Sequence, residues 1–423
     1  MRPMFGMVLA AALSLLAPAA QAFCGFYVAR ADGDLFNRAS MVVYTRAGDT
    51  SVITMSSDYR GDPSEFAMIV PTPKVLDRRQ VTTVPAATVA HLERYTAPRL
   101  VEYFDGDPCN PVVYEMAEPV TEEAGSAKDR RDGAKALGVT IEREFAVGSY
   151  DIQMLSAQQS DGLAEFLRGE GYKLPDGAEA ALSGYINMGM KFFVARVNLT
   201  RHSAKAEQEL EPLQLTFRSK DFMLPIQLGK LNGNGPQDLI VLALTRKGRT
   251  VLTNYMTKEI PSEVSVPIFV AQVFPQFYRA MFDRAAGKNG AFLEYAWDMA
   301  WCDPCADDPL SHAEFRQLGV DWVRKATAAT PDVFVTRLHI RYSKDSFFED
   351  LKFAVTEDRE NFQGRYVLNH PFDGEITCEE GKTYVADTRK RIRDEAAALR
   401  ALTGWKAANI ASNIAKTVQK RYR

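Results

Sequence analysis

The sequence predicts an α+β fold: mixed, β-rich, mainly antiparallel, with helices packed on the sheets and a helical tail at the C terminus. Three observations carry this. Runs rich in Val, Ile, Phe and Tyr alternate with Gly- and Asp-containing turns in two separate regions, helical spacing appears between them, and the end of the chain is Ala-rich with one apolar stripe. A hydrophobic content of 46% with 25% charged residues is that of a globular chain.

The chain opens on a secretory pattern. Arg2 precedes an apolar run from Met7 to Ala20, and Ala20-Gln21-Ala22 places small residues at both positions a signal peptidase reads. Residues 1–22 are therefore expected to be a cleaved signal peptide, with the mature chain starting at Phe23 and working in the periplasm or outside the cell. No later run is apolar for the roughly 20 residues a membrane helix needs, so no transmembrane helix is expected after cleavage. The remaining length suggests an N-terminal β-rich region over 23–156, a second α+β region over 157–387 and the helical tail over 388–423.

Phe26 to Val28, Ala39 to Thr45, Ser51 to Met55 and Phe66 to Val70 read as strands. Ala47-Gly48-Asp49 reads as the turn of a hairpin, and Pro71 and Pro73 end the last strand. Pro85 opens a helix carrying Val89, Leu92 and Tyr95, which Pro98 closes. Thr121 to Gly138 has no apolar period and reads as an exposed loop. Strands resume over Val139 to Leu155. A short helix opens at Ser160-Asp161, a second runs from Glu179 to Asn187, and a strand covers Lys191 to Leu199.

Leu213 to Arg218, Asp238 to Leu244 and Thr250 to Tyr255 are the next strands, with Asn232 to Pro236 as a turn. Helical spacing then predicts helix from Gln276 to Trp297, interrupted near Gly287 to Gly290. Val333 to Tyr342, Leu351 to Val355 and Tyr366 to Asn369 complete the second β region. From Thr388 to Thr417, Leu399, Leu402, Trp405, Ile410 and Ile414 form a helical stripe, broken at Gly404, that is expected to dock on the body.

Export implies an oxidising space, which makes Cys24, Cys109, Cys302, Cys305 and Cys378 disulfide candidates. Spacing does not fix their connectivity. The arrangement favoured here joins Cys24 to Cys109 and leaves one bridge among the other three. Trp301-Cys302-Asp303-Pro304-Cys305 resembles the active-site motif of the thioredoxin superfamily, which implies Cys302 and Cys305 as a redox pair; a thiolate at a helix start is stabilised by free N–H groups and the helix dipole. Asp303, Asp307 and Asp308 work against such a thiolate. Structural cysteines are the simpler expectation. A zinc site can also be drawn from Cys302, Cys305 and His312 with Cys378, His339 or His370 as the fourth ligand, although no cofactor is expected.

His339 lies opposite Leu338 and Ile340 on its strand and reads as a histidine paired with an acid. Glu102, Asp105 and Asp107 before Pro108-Cys109, like Asp32 and Asp34, read as solvated turns rather than cation or acid–base sites. Basic and acidic residues balance to a net charge of −3, which lacks the footprint of a nucleic-acid binder. No Gly-x-Ser-x-Gly elbow, phosphate loop or His-Glu-x-x-His motif is present.

Cys24-Gly25-Phe26-Tyr27-Val28, Ala97-Pro98-Arg99-Leu100-Val101-Glu102-Tyr103, Asp107-Pro108-Cys109, Val147-Gly148-Ser149-Tyr150-Asp151, the Trp301 to Cys305 motif and His339-Ile340-Arg341-Tyr342 are similar to the exported bacterial family known as domain of unknown function 2330. The resemblance spans most of the mature chain and implies no reaction, ligand or catalytic residue. A non-enzymatic envelope protein that binds or scaffolds an unknown partner is the leading expectation, and a thiol-disulfide or metal-dependent activity at Cys302 and Cys305 is its rival.

Overall fold

A computed structural model describes residues 26–30, 36–60, 66–110, 139–203, 210–232, 235–304, 306, 308–325 and 331–423. In chain order these form β1 (Phe26–Arg30), β2 (Phe36–Ala47), β3 (Thr50–Arg60), β4 (Phe66–Thr72), β5 (Val81–Thr83), α1 (Ala86–Thr96), β6 (Arg99–Phe104), β7 (Val139–Val147), β8 (Tyr150–Ala157), α2 (Ser160–Gly169), β9 (Tyr172–Lys173), α3 (Ala178–Asn187), β10 (Lys191–Val197) and α4 (Leu199–Ser203). Then come β11 (Leu213–Arg218), β12 (Met223–Leu224), β13 (Gln237–Thr245), β14 (Thr250–Leu252), β15 (Thr257–Glu259), β16 (Val264–Ser265), α5 (Phe274–Ala286), β17 (Gly290–Asp298), α6 (His312–Gln317), β18 (Phe334–Tyr342), β19 (Leu351–Val355), β20 (Phe362–Gln363), β21 (Arg365–His370), α7 (Glu380–Thr403) and α8 (Ala407–Thr417).

Two large sheets organise the molecule. The first runs β7-β8-β10-β4-β1-β9 and is antiparallel throughout. The second runs β15-β17-β18-β13-β2-β3-β11-β5, with β20 added on β17; only β13 with β2 and β15 with β17 pair in parallel. Strands from both sides of residue 156 share both sheets. The hairpin predicted at Ala47-Gly48-Asp49 joins β2 to β3, with Gly48 at φ +55°, a conformation that costs glycine little. Pro71 sits inside β4 on the edge facing β10, beyond the end of its pairing with β1.

Period-2 alternation assigns each strand's two faces. Val42 and Tyr44 of β2, Met68 and Val70 of β4, Phe193 and Ala195 of β10, and Leu338 and Ile340 of β18 meet in one core between the sheets. Ile69, Phe192 and Val194 point the other way, under α2 and α3. Val43, Ile240, Leu242 and Val335 face outward on the second sheet, under α1 and α6. A further core joins α5 to the tail helices through Phe277, Met281, Leu399, Ile410 and Ile414. The result is two stacked sheets with helices on both outer faces, and the predicted apolar stripe of the tail is docked on the body.

The helix predicted from Gln276 to Trp297 needs correction. It ends at Ala286, and Gly290–Asp298 is strand β17. Ala291 to Ala296 are all buried, so no polar face marks the strand period, and an apolar run covered on both sides does not reveal its own periodicity. The predicted tail helix begins earlier than Thr388, at Glu380, and Gly404 at φ +72° ends α7 as a left-handed cap. Among the described residues no helix is long and apolar enough to cross a membrane. The expected signal peptide, Asp32, Asp34 and the loop expected over 121–138 lie outside the described residues.

Candidate functional site

Strand β18 alternates Phe334-Val335-Thr336-Arg337-Leu338-His339-Ile340-Arg341-Tyr342, which puts Arg337, His339 and Arg341 on one face. Glu294 reaches the same face from β17, where the register against β18 slips between Leu293 and Tyr295; this β-bulge re-aims the carboxylate. Glu294 is fully buried. It accepts hydrogen bonds from Arg337 Nε and His339 Nδ1, both at 2.6 Å, and from the Tyr278 hydroxyl on α5. Asp238 takes both arms of Arg341 at 2.7 Å and lies 3.5 Å from His339 Nε2, while Phe282 stacks on the imidazole with centroids 3.6 Å apart.

Burial alone would raise the pKa of Glu294, but the His339 and Arg337 cations outweigh it and hold the group at about 2. Asp238 is likewise held at about 2 against burial by Arg341 and His339. Burial would lower the His339 pKa, yet Glu294 and Asp238 raise it above its usual value. The acid pairing expected for His339 is thus present, twice over. Covered by α5, with Phe282 and Tyr278 closing it, the cluster binds β17, β18 and β13 to the helix layer.

The cysteines pair differently from the favoured scheme. Cys109 bonds to Cys378, with Cα atoms 5.7 Å apart, across a sequence separation of 269 residues. Cys109 is therefore not joined to Cys24, and Cys378 is not bridged to Cys302 or Cys305. Cys24 and Cys305 lie outside the described residues. Cys302 is an exposed free thiol. Among the described residues the next helix, α6, begins only at His312, so no described helix start lies at Cys302 to favour its thiolate. Asp303 in the same motif is buried, accepting from the Tyr295 hydroxyl at 3.1 Å and from Gln363 Nε2 at 2.5 Å. Its carboxylate anchors the segment to β17 and β20.

The zinc set drawn from the sequence loses its fourth ligands. Cys378 is in the disulfide, His339 is held by Glu294, and His370 Nε2 lies 2.6 Å from Glu102. His312 is buried at the start of α6. No group of three His, Cys, Asp or Glu side chains that could hold a metal occurs among the described residues.

Of the acids expected in solvated turns before Cys109, Asp107 does sit in a local turn, whereas exposed Glu102 and half-buried Asp105 also fasten distant segments. Glu102 pairs with His370 across the parallel β6–β21 pair, and Asp107 accepts the Cys109 N–H at 2.8 Å. Asp105 accepts both guanidinium arms of Arg391, at 3.1 and 2.6 Å, and the Tyr384 hydroxyl at 2.5 Å. Both partners are on α7. With the disulfide two residues before that helix, covalent and ionic ties fix α7 to the end of β6.

Two recesses flank this fixed helix. One, of about 610 Å³, lies between α7 and β16 and is lined by Glu263, Ser265, Asp387, Lys390, Asp394 and Glu395 among others. Glu395 is 2% exposed, receives Asn369 Nδ2 at 3.2 Å, and has its pKa pushed by burial up to about 7. A carboxyl poised near neutrality in a recess is a common mark of a working site. The other recess, about 470 Å³, lies between α7 and α8, with an apolar floor and an arginine rim. One side of α7 thus mixes the acids Asp387, Asp394 and Glu395 with Lys390 and Arg391, whereas the charged residues of α7 on the other side are all arginines, Arg389, Arg393 and Arg400.

Sequence reading missed this. From Glu380 to Arg423 there are eleven lysines and arginines against four acids, a net of +7 in a chain whose formal net charge is −3. The signal was present in local charge counts and vanished in the whole-chain balance. Arg337 and Arg341 were equally visible as alternate neighbours of His339.

A family model described as an uncharacterized protein conserved in bacteria (DUF2330) matches residues 18–354. The match stops before α7. No curated protein and no solved structure matches the chain.

Proposed function

We propose, from the premise that this chain belongs to the bacterial family DUF2330, that it is an exported cell-envelope protein that binds a partner or ligand through the face carrying α7. The observation behind this reading is the placement of both recesses on one helix that a disulfide and the Asp105 clamp hold rigid. A helix ordered before binding loses little freedom on binding, which favours affinity. The Cys109–Cys378 bond and the leader-like start of the sequence support export to an oxidising compartment. The interior His339 cluster, by contrast, is spent on joining layers.

Photo-crosslinking in intact cells of the native host tests the binding reading. A crosslinking residue at Lys390 or Asp394, both exposed on α7, should label a species that the same residue at Lys247, on the surface turn between β13 and β14, does not. Equal or absent labelling at all three positions overturns it. Fractionation with N-terminal sequencing tests export: the expected product starts at Phe23 with Cys109 oxidised, and a cytosolic product with its leader and free thiols sinks that part.

A second reading rests on the exposure of Cys302. If the motif exchanges disulfides, the purified protein turns over a disulfide substrate and the Cys302→Ser, Cys305→Ser pair abolishes turnover. Negligible turnover in both proteins removes that reading.

A further inference from the structure

We propose that the groove between α7 and α8 holds the alkyl chain of one monomeric anionic amphiphile, with its carboxylate or phosphate head on the arginine rim. This rests on the binding reading above and names a ligand class for one of the two recesses. The floor is apolar and fixed: Ile392, Ile410, Ile414 and Tyr422 are all below 9% exposed and belong to the core that joins the tail to α5. The walls are small. Ala407, Ala411 and Ala415 follow one another at four-residue spacing on α8 and are exposed, facing Ala396 and Ala397 of α7 across the groove.

The rim is cationic and uncompensated. Arg389, Arg393, Arg400 and Arg423 line it, and among the described residues none of them forms an ion pair with a carboxylate. Arg389 and Arg423 spend only their Nε atoms, on the Arg421 and Val418 carbonyls, which leaves the outer nitrogens of each guanidinium for a ligand. Arg391, one position along the same helix, shows the contrast: it is bound to Asp105 and does not line this groove. An apolar trough with free guanidinium groups at its edge fits a molecule that is hydrocarbon along its length and anionic at its end.

Shape selects among anionic partners. A volume of about 470 Å³ set between two helices admits a thin polymethylene chain. A bilayer surface meets the rim without filling the floor, and an acidic amphipathic helix, roughly 10–12 Å across, would lie on the groove rather than along its floor, which is the alternative the peptide arm of the titration separates.

The test is titration of the full mature protein with dodecanoate below its micellar concentration, followed by calorimetry, alongside dodecanol, inorganic phosphate, an acidic helical peptide and phosphatidylglycerol vesicles. Dodecanoate should bind one to one, and each CH₂ added between octanoate and dodecanoate should tighten binding by roughly fourfold. Dodecanol should bind about tenfold more weakly, since it lacks the charge the rim takes, and phosphate alone should not bind measurably. Ala411→Trp and, on the opposite wall, Ala397→Phe should each abolish binding by filling the groove from its exposed side, with unchanged melting temperature as the check on folding. Arg389→Gln with Arg393→Gln should weaken dodecanoate about tenfold and leave dodecanol unaffected, while Lys382→Gln changes nothing.

Dodecanoate binding that survives both wall variants places the ligand elsewhere and overturns the proposal. So does binding only to the vesicles or only to the peptide, which would make the tail a membrane-surface or protein-docking element. If crosslinking at Lys390 or Asp394, outside this groove, still captures an envelope species while no amphiphile binds, this inference fails and the broader binding reading stands.

Discussion

Glu395 couples the protonation state of the α7 face to stability. Its pKa of about 7 in the folded chain lies above the ordinary 4.5, so below the ordinary value the group is neutral in both folded and unfolded chains. As pH rises through about 7 the folded state must ionise a buried carboxyl, and the stability it had at low pH is lost. Glu395→Gln, which keeps an acceptor for Asn369, should therefore stabilise the protein at pH 8 by on the order of 2 kcal/mol and change little at pH 5. Thermal melts at the two pH values check this, and an equal shift at both would refute it. Glu294 runs in the opposite sense: its contribution is complete above its ordinary value and disappears as pH falls through about 2. Removing its partner is the harsher perturbation. Arg337→Met leaves a buried carboxylate short of a cation and should cost about 3–5 kcal/mol in denaturant unfolding. Adding Glu294→Gln should recover part of that loss, whereas simple additivity of the two changes would mean that they are not coupled.

At the scale of elements, α7 is held by groups far from it in sequence. The disulfide, Asp105 with Arg391 and Tyr384, and the Leu399 contact with α5 act together. Cys109→Ser with Cys378→Ser should lower stability by up to about 5 kcal/mol in the chain-entropy view of so long a loop. Amide hydrogens of residues 380–417 should then exchange faster than those of β13 and β18, and uniform acceleration across the chain would argue against a locally tied helix. The same element shows what sequence reveals and what it does not. Helicity, the break at Gly404 and the docked stripe are legible because a 3.6-residue period and a glycine stop are local signals. The partners of Asp105 and Cys109 are not, because pairing across hundreds of residues leaves no periodic trace. Between the two lies β17: a run buried on both faces carries no period-2 signal to separate it from helix, and the bulge that aims Glu294 is invisible without its neighbour strand.

Across the whole molecule, N-terminal strands sit inside sheets completed by later ones. β2 lies between β3 and β13, and β4 lies between β1 and β10. A fragment covering 23–156 lacks β10, β11 and β13, which leaves the buried faces of β2 to β4 without their covering strands. Such a fragment should show no cooperative thermal transition by circular dichroism, and the intact chain should melt its two sheets together; a folded fragment would contradict this reading of the topology.

The order in which a ribosome makes this chain gives the cross-link a further meaning. Cys24 precedes Cys109, and Cys302 and Cys305 appear before Cys378, so consecutive pairing as the polypeptide emerges would join Cys109 to Cys24 and trap the wrong connection. Under the proposed export, correct maturation depends on late oxidation or on an isomerase that reshuffles early bonds, and cells lacking that catalyst should accumulate mispaired, protease-sensitive product.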